Sequence, residues 1–126
     1  ILKKPMLYIR KKPKGFGKNQ QIEGDFQENK KVILIEDLAT DGGSKIVFLE
    51  ALNKAKLSVS DIFVIFYYDI FDIKKTNLGK FNINMHSLCT WANIIEVIKV
   101  KKIFSINEIM NLEKFLYNPE EWRLKF

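Results

Sequence analysis

The sequence predicts an α/β domain with a mostly parallel sheet flanked by helices. Residues 32–37 and 61–70 contain continuous apolar runs, the pattern of strands that are covered on both faces of a sheet. Between them, Phe48, Leu52 and Ala55 recur at the spacing of one helical face. Strands that alternate with helices along a chain are typical of this class.

The first elements are a strand and a long loop. Residues 5–11 (PMLYIRK) predict a strand. Residues 12–29 carry one proline and three glycines among polar side chains, which indicates a mobile loop or a loose hairpin. A loop of this length inside a compact domain usually has a function.

Residues 84–89 predict a short last strand, and two helices follow it. Thr90 is placed to cap the first helix, and Ser105 with Glu108 has the S-x-x-E form of a capping box for the second. The buried stripes of these helices are expected to be Trp91, Ile94, Ile95 and Ile98, and then Ile109, Leu112 and Leu116.

Length and composition limit the possible classes of protein. The 126 residues are predicted to form one domain, 1–126. No apolar stretch approaches the roughly 20 residues that span a bilayer, so no membrane partner is expected. Cys89 is the one cysteine, which fits a reducing cytoplasm, and together with the one histidine, His86, it gives no set of metal ligands. Because the chain begins with Ile1 and not Met, we expect it to be a piece of a longer protein.

The net positive charge lies in the first part of the chain. Residues 1–31 hold nine Lys or Arg and three acids, and therefore carry the whole net charge of +6. Several clustered cations suit a polyanionic ligand. A solvated basic face and a nucleic-acid patch are the alternatives. Aromatic residues interleave poorly with these lysines, with Tyr8 and Phe16 near the first of them, so nucleic acid is not the expected partner.

The segment ATDGGS predicts a phosphate-binding turn. The backbone amides of residues 41–44 lie at the start of the predicted helix, where the helix dipole favours an anion. Gly42 and Gly43 let a phosphate approach closely, and the hydroxyls of Thr40 and Ser44 add donors. The plain alternative is an ordinary strand-to-helix turn with a helix cap.

Two acids, Glu36 and Asp37, precede this turn at the end of the strand. Carboxylates repel phosphate, and they suit sugar hydroxyls or a bound cation. The ligand is therefore expected to carry a sugar beside its phosphate. The sequence contains neither the Walker G-x-x-x-x-G-K-[ST] motif nor the dinucleotide G-x-G-x-x-G motif, which excludes those two phosphate-binding classes.

Two segments resemble a known family. VILIEDLATDGGS resembles the phosphoribosyl pyrophosphate signature of type I phosphoribosyltransferases, and YIRKKPKGFGKNQQIEG, residues 8–24, resembles the catalytic loop of the orotate phosphoribosyltransferases. FYYDIF, MHSLCTW and FLYNPEEW are similar to the carboxyl-terminal part of alphaproteobacterial members. The amino-terminal hood and first strand of that family are expected to be missing from this chain.

The resemblance implies a type I phosphoribosyltransferase fold and an enzyme that transfers phosphoribosyl from phosphoribosyl pyrophosphate to orotate. The products would be orotidine 5′-monophosphate and pyrophosphate, in the synthesis of UMP. It also implies Mg²⁺, with no metal ligand supplied directly by the protein, and a cytoplasmic homodimer whose mobile loop, about residues 12–29, reaches the partner's site. A phosphoribosyltransferase for another nucleobase and a non-catalytic regulator that binds phosphoribosyl pyrophosphate stay open as alternatives.

The resemblance also assigns roles to individual residues. Lys14, Asp37 and Glu36 would be catalytic, and the two acids would hold the ribose hydroxyls. The 5′-phosphate would contact Thr40, Asp41, Gly42, Gly43 and Ser44, and the pyrophosphate would contact Arg10, Lys11 and Lys14.

Overall fold

The computed structural model describes residues 3–12, 21–119 and 121. Its elements, in chain order, are β1 (Tyr8–Ile9), β2 (Ile22–Glu23), β3 (Lys31–Ala39), α1 (Gly43–Lys54), β4 (Ser58–Tyr67), β5 (Asn84–Thr90), α2 (Trp91–Lys101) and α3 (Ile106–Tyr117), with two short 3₁₀ helices, Ile73–Lys75 and Asn77–Phe81, between β4 and β5.

The main sheet has three parallel strands in the order β3-β4-β5, with β4 in the centre. In its register Ile35 pairs with Phe63, and Phe63 pairs with His86. Helices connect and follow these strands, so the predicted α/β class is confirmed. The carboxyl ends of all three strands meet at one edge, which is where open α/β sheets bind ligands.

The prediction that residues 32–37 are covered on both faces is wrong for the described part of the chain. Leu34 is buried, but Ile33 is 52% exposed and Ile35 is 68% exposed. Helix α1 covers the face that carries Leu34, because Phe48 and Leu49 pack in the same cluster. Among the described residues β3 pairs only with β4, so it is an edge strand of this sheet.

The first strand belongs to a separate antiparallel hairpin. Tyr8 pairs with Glu23 and Ile9 with Ile22, so only two residues of the predicted strand 5–11 are paired. Residues 13–20 lie outside the described part, and the mobility of the loop stays a prediction. Ile22 is buried against Leu52 and Leu57, which attaches the hairpin to the α1 side of the domain.

The caps of the last two helices agree with the sequence. The Thr90 amide donates to Asn93 Oδ1 at 2.9 Å. The Ser105 amide donates to Glu108 Oε2 at 2.8 Å, and the Glu108 amide donates to Ser105 Oγ at 3.3 Å. Ile98 is the one buried residue of α2, and the other three residues of its predicted stripe are half-buried.

Helix α3 is less buried than the sequence predicts. Ile109, Leu112 and Leu116 are half-buried and not fully buried. The physical reason is that the described chain places no second layer over this helix; it is joined to α2 at the surface, where Lys99 Nζ donates to Glu113 Oε1 at 2.6 Å. No helix in the described ranges has the length and apolar character that crossing a membrane requires.

Candidate functional site

The predicted phosphate turn lies between β3 and α1. Gly42 has φ 79°, in the left-handed region that favours glycine. A Cβ at this position would lie 2.5 Å from Leu78 Cδ2, so a side chain cannot be added without moving that leucine. The Lys45 amide donates to the Gly42 carbonyl at 2.9 Å, which closes the turn into the first turn of α1.

An anionic oxygen already lies against the donors of this turn. Asp41 Oδ1 accepts from the Gly43 amide at 3.0 Å and from the Thr40 hydroxyl at 3.3 Å. Asp41 and Ser44 are exposed at the surface of the turn. The structure thus brings Thr40, Asp41, Gly42, Gly43 and Ser44 together, with backbone and hydroxyl donors that are directed at a carboxylate.

The two acids differ in their surroundings. Successive residues of a strand point to opposite faces of the sheet, so Glu36 and Asp37 diverge. The Glu36 side chain is 18% exposed and points to the α1 side, where it forms an ion pair with Lys45. Asp37 is exposed, and its Oδ1 accepts from the Leu38 amide at 2.8 Å.

Lys45 is a residue of this site that the sequence did not reveal. Its side chain is 6% exposed, and its Nζ contacts Glu36 Oε2 and donates to the Leu38 carbonyl at 2.7 Å. Burial lowers the pKa of Lys45, and the charge of Lys11 lowers it further. One sequence signal for this residue exists. Lys45 is a cation in the first turn of a helix, where the helix dipole disfavours it, and it follows the acid pair by a few residues.

The predicted pyrophosphate contacts lie partly within the described residues. Arg10 Nε donates to Glu23 Oε1 at 2.7 Å, and its guanidinium carbon is 5.4 Å from the ring centroid of Tyr8. The hydrogen bond with Glu23 and the charge of this acid raise the pKa of Arg10. Lys11 is exposed and is close enough to act on the pKa of Lys45. Lys14 lies outside the described residues.

Within the described ranges, no group of three or more His, Cys, Asp or Glu side chains is arranged to hold a metal ion. His86 lies on β5, level with Ile35 of β3 in the register of the sheet, and its Nε2 is 2.8 Å from Asp61 Oδ1. Cys89 is half-buried in β5. Neither residue takes part in the turn.

Curated proteins resemble this chain over almost all of its length. It is 44% identical over 119 residues to the orotate phosphoribosyltransferase of Roseobacter denitrificans, a match that covers 94% of this chain and 53% of that protein. It is 43% identical over 119 residues to the enzyme of the same name from Ruegeria sp., with the same two coverages. The chain therefore spans about half the length of the curated relatives that it matches. No family profile matches it.

Solved structures agree on the fold. The orotate phosphoribosyltransferase of Aeropyrum pernix has a TM-score of 0.63 and 27% identity, and the match covers 76% of this chain and 52% of that one. Leishmania donovani UMP synthase has a TM-score of 0.71 over 91% of this chain and 24% of that one, and at 22% identity it supports the fold alone. The phosphoribosyltransferase fold and the resemblance stated from the residues are thus confirmed.

Proposed function

We propose that this chain, a relative of the orotate phosphoribosyltransferases, transfers phosphoribosyl from phosphoribosyl pyrophosphate to orotate in pyrimidine synthesis. One observation carries the proposal. Donors from Thr40 and Gly43 converge on one anionic oxygen, at the carboxyl end of β3 and beside the exposed acid Asp37. A sugar phosphate needs hydrogen-bond donors for its phosphate oxygens and a carboxylate for its sugar hydroxyls, and these groups supply both.

The turn would bind the 5′-phosphate. A phosphate oxygen can replace the Asp41 carboxylate as acceptor for the Gly43 amide and the Thr40 hydroxyl, while the Ser44 hydroxyl is exposed for a further hydrogen bond. Helix α1 begins at Gly43, so its positive dipole end faces the same space. Because the Asp41 carboxylate already accepts from these two donors, a phosphate would have to displace it in order to bind.

Asp37 would hold the ribose hydroxyls. When the bond at the anomeric carbon breaks, positive charge grows on the sugar and negative charge grows on the leaving pyrophosphate. A fixed carboxylate beside the sugar favours the first of these changes. Asp37 is exposed at the strand end and is suited to this role. Glu36, which is half-buried next to it on β3, would share this role, as the resemblance implies.

The basic hairpin would supply the cations for the leaving group. Arg10 and Lys11 lie on its described arm, and we expect Lys14 to be the most rate-sensitive residue, because a flexible ammonium can follow the moving charge. Closure of the loop would also exclude water. Mg²⁺ would enter with the diphosphate, since its preferred ligands are oxygens, and it would neutralise charge on the leaving group.

Assembly and location are part of the same proposal. We expect a homodimer in which the loop of residues 12–29 reaches the partner's site. The single cysteine fits a cytoplasmic enzyme. Arg10 and Lys11 favour an enzyme over a regulator, because a regulator that only holds the sugar phosphate has no need of cations for a leaving group.

The test is a set of turnover assays on the chain with phosphoribosyl pyrophosphate and Mg²⁺. Orotate, adenine, hypoxanthine and uracil are compared as acceptors. Release of pyrophosphate with orotate alone is the expected result. Turnover only with a purine or with uracil would assign the chain to another nucleobase, and binding of phosphoribosyl pyrophosphate without turnover on any base would favour the regulator.

A further inference from the structure

Three aromatic side chains form a cluster at the carboxyl edge of the main sheet. Phe66 is the penultimate residue of β4, Tyr68 follows the last residue of that strand, and Trp91 is the first residue of α2. The ring centroids of the three pairs are 5.5–5.7 Å apart, and each pair meets edge to face. Aromatic rings prefer this geometry, so each ring helps to fix the other two.

The aromatic cluster is joined to the phosphate turn through the backbone. The Tyr68 amide donates to the Ala39 carbonyl at 2.9 Å, and Ala39 is the last residue of β3, directly before the turn. In the register of the sheet Phe66 pairs with Leu38, the residue after Asp37. The cluster therefore lies at the end of β4, next to the strand end that carries the proposed sugar-phosphate site.

Tyr68 differs from its neighbour in having a free polar end. Tyr67 is buried in the core with Phe48 and Leu49 of α1, whereas Tyr68 is half-buried. Among the described residues the Tyr68 hydroxyl has no hydrogen-bond partner, and it is accessible to solvent. A ring that is already fixed loses little conformational freedom when its hydroxyl binds a ligand.

Trp91 supports this ring. Its indole nitrogen is buried and has no hydrogen-bond partner in the described part of the chain. A buried donor without a partner costs stability, so the contacts with Phe66 and Tyr68 have to outweigh that cost. The indole therefore contributes ring surface to the cluster and not a hydrogen bond.

The position of the cluster suits the acceptor of the proposed reaction. The acceptor has to reach the anomeric carbon of the sugar, so it binds at the same edge of the sheet. Among the described strands, the neighbour of β3 is β4, whose end carries Tyr68. Orotate has ring carbonyls and a carboxylate, and a hydroxyl donates well to such oxygens, most strongly to the charged one.

We propose that Tyr68 binds the nucleobase acceptor, with its hydroxyl donating to an oxygen of the base, and that Phe66 and Trp91 are positioning residues for its ring. The inference rests on the proposed function and adds a contact for the base to it. The plain alternative is a cluster that only stabilises the edge of the sheet.

Tyr68→Phe separates the two cases, because it keeps the ring contacts and removes only the hydroxyl. Calorimetry on the full chain begins with ribose 5-phosphate, and orotate is then titrated into the saturated complex, which cannot react because it holds no pyrophosphate. We expect Tyr68→Phe to weaken binding of orotate about tenfold and binding of ribose 5-phosphate less than about twofold. Tyr117→Phe, at a tyrosine that is 93% exposed on α3, is the matched control and should change neither affinity.

The positioning role of Trp91 has its own pair of variants. Trp91→Phe keeps a ring beside Tyr68, so it should weaken binding of orotate less than Trp91→Ala does, with little change for ribose 5-phosphate. Urea unfolding of both variants establishes that the comparison is made on folded protein. Wild-type affinity for orotate in folded Trp91→Ala would contradict the positioning role.

Unchanged affinity for orotate in Tyr68→Phe, or an equal loss for ribose 5-phosphate, would overturn the inference. A wild type that binds ribose 5-phosphate but none of orotate, uracil and hypoxanthine would also overturn it, while the sugar-phosphate site stands. If uracil or hypoxanthine binds in place of orotate and Tyr68→Phe weakens that binding, the orotate assignment fails and the role of Tyr68 stands. A folded wild type that does not bind ribose 5-phosphate would contradict the proposed function and the inference together.

Discussion

Leu78 lies against Gly42, so the 3₁₀ helix Asn77–Phe81 supports the turn between β3 and α1. Leu78 is fully buried, and a Cβ on Gly42 would lie 2.5 Å from its Cδ2. The shape of the turn therefore depends on a segment that follows it by more than 30 residues. Two stability predictions come from this contact.

Gly42→Ala should destabilise the domain. The new methyl group would meet Leu78, and alanine at a left-handed φ costs about 1–3 kcal/mol by itself. Urea unfolding measures the change. Gly43→Ala is the control, because its Cβ would lie 3.3 Å from the exposed Asp41 carboxylate, which can move. Equal stability of the Gly42→Ala variant and the wild type would show that the turn does not need glycine.

Leu78→Ala should cost about 2–5 kcal/mol, because a fully buried leucine leaves a cavity when it is truncated. The same unfolding measurement applies. Leu88→Ala provides the comparison, since Leu88 is 71% exposed on β5 and should cost less than about 0.5 kcal/mol. Similar losses in both variants would mean that Leu78 is not a core residue.

The pair of Asp61 and His86 predicts an acid-sensitive contribution to stability. Hydrogen bonds from Ser60, His86 and Asn84 lower the pKa of Asp61 from 3.8 to about 2. Because the folded pKa is below the unfolded one, the stabilisation is present above about pH 4 and is lost as the pH falls towards 2.

Asp61→Asn should therefore reduce the slope of the unfolding free energy between pH 4 and 2, compared with the wild type. Asp25→Asn, at an exposed acid before β3, is the control. Parallel curves for Asp61→Asn and the wild type over this range would rule out the predicted linkage.

Arg10 should affect ligand binding more than folding. Its contact with Glu23 is partly exposed to solvent, so Arg10→Gln should change the unfolding free energy by about 0–1 kcal/mol. If Arg10 transfers to the pyrophosphate, the same substitution should weaken binding of phosphoribosyl pyrophosphate at least fivefold. Glu23→Gln should keep or strengthen binding, because it releases the guanidinium. Equal weakening in both variants would instead indicate that the hairpin pair itself is needed.

Local patterns predicted much of the fold. The apolar run of β3, the helical spacing of Phe48 and Leu52, and the capping box of Ser105 and Glu108 are each set by neighbouring residues, and the structure contains all of them. The turn of residues 40–44 was found for the same reason, since its glycines and hydroxyls are adjacent in the chain.

Features that depend on distant contacts were missed. The exposure of Ile35 depends on what covers the second face of the sheet, which the run of aliphatic residues does not specify. The burial of Lys45 depends on Glu36 lying on the α1 side of β3, and the need for Gly42 depends on Leu78. In each case tertiary packing decides which residues meet, and neither hydrophobic periodicity nor a short sequence motif encodes that contact.

Calorimetric titration of the wild-type chain and of Asp37→Ala with phosphoribosyl pyrophosphate and Mg²⁺ decides whether the turn of residues 40–44 and Asp37 form a sugar-phosphate site. We expect saturable binding at one site per chain and at least thirtyfold weaker binding in Asp37→Ala. The affinity of the wild type should fall at higher salt, because charged contacts are screened. A folded wild-type chain without saturable binding, or equal affinity in Asp37→Ala, would contradict such a site.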